Sequence, residues 1–297
     1  MINYQSCPCC GSTHIQQRLN VNDYTVSRQI FAVWDCSGCT LRFTQGVPEP
    51  AEIGAYYQSD NYISHTDTKQ GIINRLYHAV RKRTLRNKQK LIERVTGLQQ
   101  GRLLDIGAGT GAFLHTMQQT GWQIQGIEPD AAARQRAEEL YALSLDSPEQ
   151  LDTLPSSFFD AVTLWHVLEH VHDIHGYIEH IKRVVKPGGK VVIAVPNYTS
   201  YDATIYGQYW AAYDVPRHLY HFSPLSMQRL LEKHRLSLKD TLPMWYDSFY
   251  VSMLSEQYQT GRSHHMKAVL NGCISNLKAI FNRKKCSSLI YIIDKVA

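Results

Sequence analysis

Leu103-Leu104-Asp105-Ile106-Gly107-Ala108-Gly109-Thr110-Gly111 reads as a buried strand that runs into a glycine turn. A helix follows at once, because Ala112, Phe113, Leu114 and Met117 recur with the spacing of one apolar helical face. Glycine admits positive φ and lets a ligand approach with no Cβ in the way. The free N–H groups of a helix start face such a ligand. A dinucleotide fingerprint is G-x-G-x-x-G, with an acidic residue about 20 positions later. Here the spacing is G-x-G-x-G, and Asp105 stands two residues before the first glycine. A carboxylate so placed repels a pyrophosphate and suits a cation or an amino group. Glu128 ends the next apolar strand, Gln123 to Ile127, where a carboxylate accepts both hydroxyls of a ribose. An ordinary strand–turn–helix corner and a nicotinamide-dinucleotide site are the competing readings.

Asp105-Ile106-Gly107-Ala108-Gly109-Thr110-Gly111 followed by Gly126-Ile127-Glu128-Pro129 resembles the cofactor site of class I S-adenosylmethionine (SAM) dependent methyltransferases. The resemblance implies an α/β fold, a doubly wound, mostly parallel sheet of seven strands. It implies SAM contacts at Asp105, Gly107, Ala108, Gly109, Gly111, Glu128 and Pro129. Asp130 is placed to cap a helix running to about Leu140, and Ala142 to Leu145 reads as the third strand. In the family the position after that strand bonds the adenine amino group, which gives the role to Asp146; a plain turn cap beside Pro148 is the alternative.

Phe159 to Trp165 is the fourth strand, and His166-Val167-Leu168-Glu169-His170 follows it. Ligands bind beyond the carboxyl ends of strands in open α/β sheets. Family members with a similar run place it beside the methyl donor, so Trp165 and His166 join the cofactor contacts by resemblance. Catalysis, simple cofactor contact and bracing of the loop are all open for the histidines, and metal binding by this His-Glu-His cluster is the less favoured reading. Ile174 to Val185 has helical spacing, Lys186-Pro187-Gly188-Gly189 breaks it, and Lys190 to Pro196 is the fifth strand.

Residues 197–222 are dense in aromatic rings and end in Asp214-Val215-Pro216-Arg217-His218-Leu219-Tyr220-His221-Phe222. The segment lies where the family carries a substrate-side lid. The final run resembles a subgroup of bacterial small-molecule methyltransferases that also carry a zinc ribbon. Tyr209, Trp210, Arg217 and His218 are the substrate-binding candidates, Arg217 because its planar fork pairs with carboxylate or phosphate. The other reading is a packed aromatic strap tied down by Arg and His. Candidate bases for an acceptor proton are His170 and His218, then His166 and His221, since imidazole titrates near working pH. Ser223 and Pro224 open a helix as cap and first residue, and 236–244 and 288–296 read as the last two strands. Residues 255–287 carry no assigned role.

Five of the seven cysteines fall in the first 39 residues. Cys7 and Cys10 form one C-x-x-C pair, and Cys36 and Cys39 form another. Two such turns aim four thiolates at one ion, which predicts a structural Zn²⁺ site with no open position; reduced surface cysteines with no metal are the other reading. Cys9 is a free thiol or a register alternative. The expected organisation is a zinc-ribbon module over 1–50, a tyrosine-rich strap (Tyr56, Tyr57, Tyr62) and basic helix over 51–98, and the methyltransferase domain over 99–297. That helix sets Ile73, Leu76, Tyr77, Val80, Leu91 and Val95 against a face rich in Lys and Arg. Such a face sits on nucleic acid or a membrane, or is simply solvated.

The formal charge of +5 permits an acidic partner without demanding one. No run approaches about 18 apolar residues, so no membrane span is expected. Met1 to Ser6 lacks the features of a signal peptide, and a cytoplasmic location is expected. The acceptor is expected to be a small molecule methylated on oxygen or carbon: a sugar, glycan precursor, lipid or phenolic metabolite. An RNA acceptor is not favoured, because no basic run is interleaved with stacking aromatics. A non-catalytic SAM-binding protein fits the cofactor motifs as well.

Overall fold

The computed structural model describes residues 1–58, 72–262 and 264–295, with backbone alone over 72–78. The chain runs β1 (Ile15–Asn22), β2 (Ile30–Cys36), β3 (Arg42–Thr44), α1 (Ile72–Thr96), β4 (Arg102–Ile106), α2 (Ala112–Gln118), β5 (Gln123–Ile127), α3 (Ala131–Tyr141) and β6 (Phe159–Trp165). It continues through α4 (Ile174–Val184), β7 (Val185–Pro196), α5 (Tyr201–Tyr206), β8 (Tyr220–His221), α6 (Pro224–Lys233), β9 (Leu236–Pro243), α7 (Asp247–Thr260), α8 (His265–Phe281) and β10 (Ser288–Lys295). Tyr62 and the side chains of Ile73, Leu76 and Tyr77 lie outside the described residues.

The main sheet has the order β5-β4-β6-β7-β10-β9, with β4 parallel to both its neighbours. Leu103, Leu104 and Ile106 of β4 are buried, as a strand with partners on each side and helices on each face requires. Among the described residues the sheet thus has six strands, not seven. The expected third strand, Ala142 to Leu145, is reduced to a bridge between Asp146 and Ile127. Ala142 takes the left-handed conformation that ends α3, at φ 53°. Too few residues remain before Asp146 to build a ladder. Lys186 to Gly189 lies within β7 rather than ahead of it, with Gly188 absorbing the turn at φ +77°.

The described residues fall into two compact units, one lying within Met1–Ser64, His166–Tyr177 and Ala194–Tyr291, the other within His65–Trp165, Ile178–Ile193 and Ile292–Ala297. In the first, β1, β2, β3 and β8 make an antiparallel sheet in that order. The cysteine-rich strands are therefore completed by Tyr220 and His221, from the far end of the aromatic segment, with Phe43 opposite Tyr220. Val21, Phe31 and Val33 share one core with Tyr206, Trp210, Tyr213 and Val215. Helix α6 opens with a capping box: Ser226 N–H donates to Ser223 Oγ at 3.0 Å and Ser223 N–H donates to Ser226 Oγ at 2.8 Å.

Residues 255–287 are mostly helical hairpin. Helix α8 buries Ala268, Gly272, Ser275 and Ala279 and exposes Met266, Leu270, Leu277, Ile280 and Phe281. Gly272 is needed for the approach to α7, since a Cβ there would come within 2.7 Å of the Phe249 ring. No helix among the described residues is long and apolar enough to cross a membrane.

Candidate active site

The glycine turn is held from β5: the N–H groups of Gly107 and Ala108 donate to Ile127 O at 2.7 and 3.0 Å. Gly109 N–H donates to Glu128 Oε2 at 2.7 Å, and Asp130 N–H donates to Glu128 Oε1 at 3.0 Å. Both carboxylate oxygens are thus oriented, and each keeps a lone pair for a ligand hydroxyl. Burial raises Glu128, while those two N–H groups act against the rise. A Cβ on Gly109, at φ +54°, would meet nothing within 4 Å, so the turn leaves open space over its backbone. Pro129 follows, its carbonyl accepting from Arg134 at 2.9 Å.

Asp105 is 2% exposed and accepts from Thr163 Oγ1 on β6 at 2.6 Å. Burial, helped by nearby Glu128, pushes its carboxyl up to about 7 against the Thr163 hydrogen bond and the Lys88 charge. Asp146 accepts from Gln125 Nε2 at 2.8 Å. Trp165 packs edge-on to Phe113 at 5.7 Å, and the ammonium of Lys88 stands 4.1 Å from the centre of its ring. The buried Trp165 Nε1 has no hydrogen-bond partner. An unpartnered donor and an open glycine turn flanked by carboxylates fit a nucleoside with both polar and cationic parts. Lys88 belongs to the basic run on α1, and composition alone gave no reason to single it out; Lys82, Arg83, Arg86, Lys90 and Arg94 are exposed.

The histidines belong to the first unit. His166, at φ 59°, sets Nδ1 3.2 Å from Glu169 Oε1 and Nε2 2.9 Å from Asp247 Oδ2. Burial opposes charge on this ring, but the Asp247 and Glu169 carboxylates prevail and raise it to about 10. His166 is therefore an imidazolium near neutral pH, which is poorly suited to accept a proton. Asp247 carried no signal in the sequence. Burial and the adjacent His218 ring push His170 down to about 4, against the pull of Glu169 and Asp214. The His170 and His218 rings meet edge to face at 4.5 Å. His170 Nδ1 lies 3.0 Å from both Arg217 O and Tyr57 Oη, and His218 Nδ1 lies 2.9 Å from Ala212 O.

Three expected roles are corrected. Arg217 is 1% exposed and does not reach outward: its guanidinium donates to Asp214, to Asp23 and to Tyr56 O. Trp210 is 1% exposed, with Nε1 donating to Asp202 Oδ2 at 2.8 Å, so it is core rather than an acceptor contact. His221 is buried with Nε2 donating to Thr44 Oγ1 at 3.1 Å, which itself donates to His218 O at 2.7 Å; the ring ties β8 to β3. Tyr209 is partly exposed, 6.4 Å from the Tyr24 ring.

The sulfurs of Cys7 and Cys39 lie 3.5 Å apart, and those of Cys10 and Cys36 lie 3.6 Å apart, with all four within 4.8 Å of one another. Zn–S bonds of about 2.3 Å in a tetrahedron need sulfurs about 3.8 Å apart. The donor set and its spacing fit Zn²⁺. Cys9 is buried outside this foursome, its carbonyl accepting from Lys233 Nζ at 3.2 Å.

A family model described as a methyltransferase domain matches residues 76–238. A ubiquinone biosynthesis O-methyltransferase of Xanthomonas oryzae pv. oryzae is 29% identical over 163 residues, covering 50% of this chain and 68% of the relative. One from a Bradyrhizobium species is 30% identical over 162 residues, covering 50% and 63%. The solved geranyl diphosphate C-methyltransferase of Streptomyces coelicolor superposes with a TM-score of 0.50 at 15% identity, covering 77% of this chain and 88% of that one, a likeness of fold.

Proposed function

This chain belongs to the class I SAM-dependent methyltransferases, and from that premise we propose that it methylates an oxygen or carbon of a small molecule, with oxygen favoured. Bound SAM supplies a methyl group already activated on a sulfonium. The chain must then bind, orient and exclude water, and positioning alone is worth on the order of 7–11 kcal/mol in the best cases. Glu128 holds the ribose hydroxyls, Asp146 the adenine amino group, and Asp105 favours the cationic part of the cofactor. Trp165 forms an apolar wall.

The observation that carries the acceptor reading is the run after β6. It sets Glu169, His170 and His218 within reach of one another. With Nδ1 of each ring facing a backbone carbonyl, the lone pair lies on Nε2, where a hydroxyl proton is taken. The relatives named as ubiquinone biosynthesis O-methyltransferases support oxygen as the acceptor atom; a phenolic metabolite supplies such a hydroxyl. A sugar, glycan precursor or lipid presents the same hydroxyl chemistry. The exposed cations of α1 support a second reading, RNA as acceptor, which predicts salt-dependent RNA binding. Zn²⁺ on the four cysteines serves stability, and a cytoplasmic site of action fits a biosynthetic enzyme. Incubation with labelled SAM and cell extract decides among these. Label in a small molecule is expected, label on RNA selects the second reading, and no label on any acceptor contradicts both.

A further inference from the structure

Glu169 is wholly buried, and its Oε2 has no hydrogen-bond partner. Its other oxygen, Oε1, faces the His166 ring at 3.2 Å. A buried carboxylate oxygen left unpaired costs more than a hydrogen bond is worth, so it calls for an explanation such as an ion. One carboxylate oxygen of Glu169 and one nitrogen each of His170 and His218 lie within 4.8 Å of one another. Two nearby imidazoles would repel if both were charged, but both are natural ligands when neutral.

We propose that Glu169, His170 and His218 form a second metal site, distinct from the four cysteines, that binds a divalent first-row transition metal. Three features support it beyond proximity. The carbonyls of Arg217 and Ala212 accept from Nδ1 of His170 and His218 at 3.0 and 2.9 Å. This is the outer-shell arrangement that fixes the tautomer of a ligating histidine and aims Nε2 at the metal. Glu169 Oε1 is held by His166, which Asp247 holds at 2.9 Å, so the carboxylate too is oriented from behind. Asp214, 3.9 Å from His218 Nε2, is engaged by Arg217 and stands outside the set. Two imidazoles and one carboxylate select Mn, Fe, Co or Zn over Ca or Mg, and three protein ligands leave positions for water or an acceptor oxygen. His170 remains partly exposed, which gives an ion an approach.

The site stands on these side chains whatever the acceptor is. Its catalytic consequence rests on the small-molecule acceptor reading above and replaces the base role given there: with the ion bound, the Nε2 lone pairs are taken up as ligands, and the cation rather than a ring favours the ionised form of an acceptor hydroxyl.

Mn²⁺ is the probe, because it prefers nitrogen and oxygen and does not compete for a thiolate site. The full chain, with its zinc content measured, is titrated with Mn²⁺, and the free ion is followed by electron paramagnetic resonance. A single Mn²⁺ bound per chain is expected. Glu169→Gln and His218→Gln should each weaken binding by at least about tenfold, with zinc content and SAM affinity unchanged as evidence of folding. Wild-type protein that leaves the free Mn²⁺ signal at its buffer value overturns the proposal, whether or not either variant folds. So does wild-type affinity in folded variants. Methyl transfer to a small molecule is scored separately with labelled SAM, so failure of the metal site and failure of the acceptor reading give different results.

Discussion

Arg217 Nη2 donates to Asp23 Oδ1 at 3.0 Å, and both residues are 1% exposed. The pair joins the turn after β1 to the loop before β8, and Asp214 binds the same guanidinium at 2.6 Å. Removing one partner of a buried ion pair leaves an uncompensated charge, at a cost of about 3–5 kcal/mol. Arg217→Met should therefore lower stability by about that amount in denaturant unfolding. Asp23 also sets the direction of a pH dependence. Burial alone would raise it, but the Ser27 N–H and the Arg217 charge hold it well below the usual carboxylate range. A depressed folded pKa gives stability that is full above the unfolded value, about 4, and is lost as pH falls further. Asp23→Asn should be less stable at neutral pH and should lose that part of the acid sensitivity. An Asp23→Asn chain with wild-type acid unfolding would show that the pair contributes nothing.

Asp105 titrates in the opposite sense. Its folded pKa is raised to about 7 by burial, so its contribution to the free protein's stability is present below about 4 and is lost as pH rises towards 7. A cationic ligand draws the carboxyl back to its ionised form. SAM affinity should therefore fall by up to about tenfold per pH unit below 7, with proton release on binding. Calorimetry in buffers of different ionisation enthalpy reads both quantities. Asp105→Asn should flatten the profile, and a wild-type profile already flat from about pH 5.5 to 8 would contradict the assignment.

Glu128 is oriented by the N–H groups of Gly109 and Asp130. Hydrogen bonds to charged groups are worth about 1.5–3 kcal/mol each. Glu128→Ala should weaken SAM binding by at least about tenfold. Near-wild-type thermal stability is expected, because Gly107 and Ala108 remain tied to Ile127. Unchanged affinity in calorimetry would count against the ribose role.

What was legible in the sequence is local. The glycine turn, the carboxylate ending β5, the Asp130 cap and the Ser223 cap each declare themselves within a few residues. What was not legible depends on long-range partners. An arginine among aromatic rings looks like a ligand's counter-charge until Asp23, 194 positions away, is found against it. Helix α8 has the apolar content of a core helix but buries its small residues, because Gly272 decides which face meets Phe249. The third strand failed on a single backbone conformation, at Ala142. The pairing of β3 with β8 has no local pattern, since two residues are too few to show a period.

That pairing ties the cysteine site to the aromatic segment, and zinc removal should expose it. Thr44 N–H donates to Leu219 O at 2.9 Å, and Thr44 Oγ1 donates to His218 O at 2.7 Å. Strand β3 begins three residues after Cys39, so its register depends on the second C-x-x-C turn. A module of about 50 residues cannot fold on so small a core, and metal binding supplies the missing stability. Native protein should contain about one zinc held by thiolates, lost in the Cys36→Ser, Cys39→Ser double variant. On its loss, hydrogen exchange should quicken at Thr44 and Tyr220 and leave β4 and β5 protected. Exchange that quickens only within residues 1–40 would show that β3 and β8 hold without the metal, and zinc-free native protein would remove the ribbon itself.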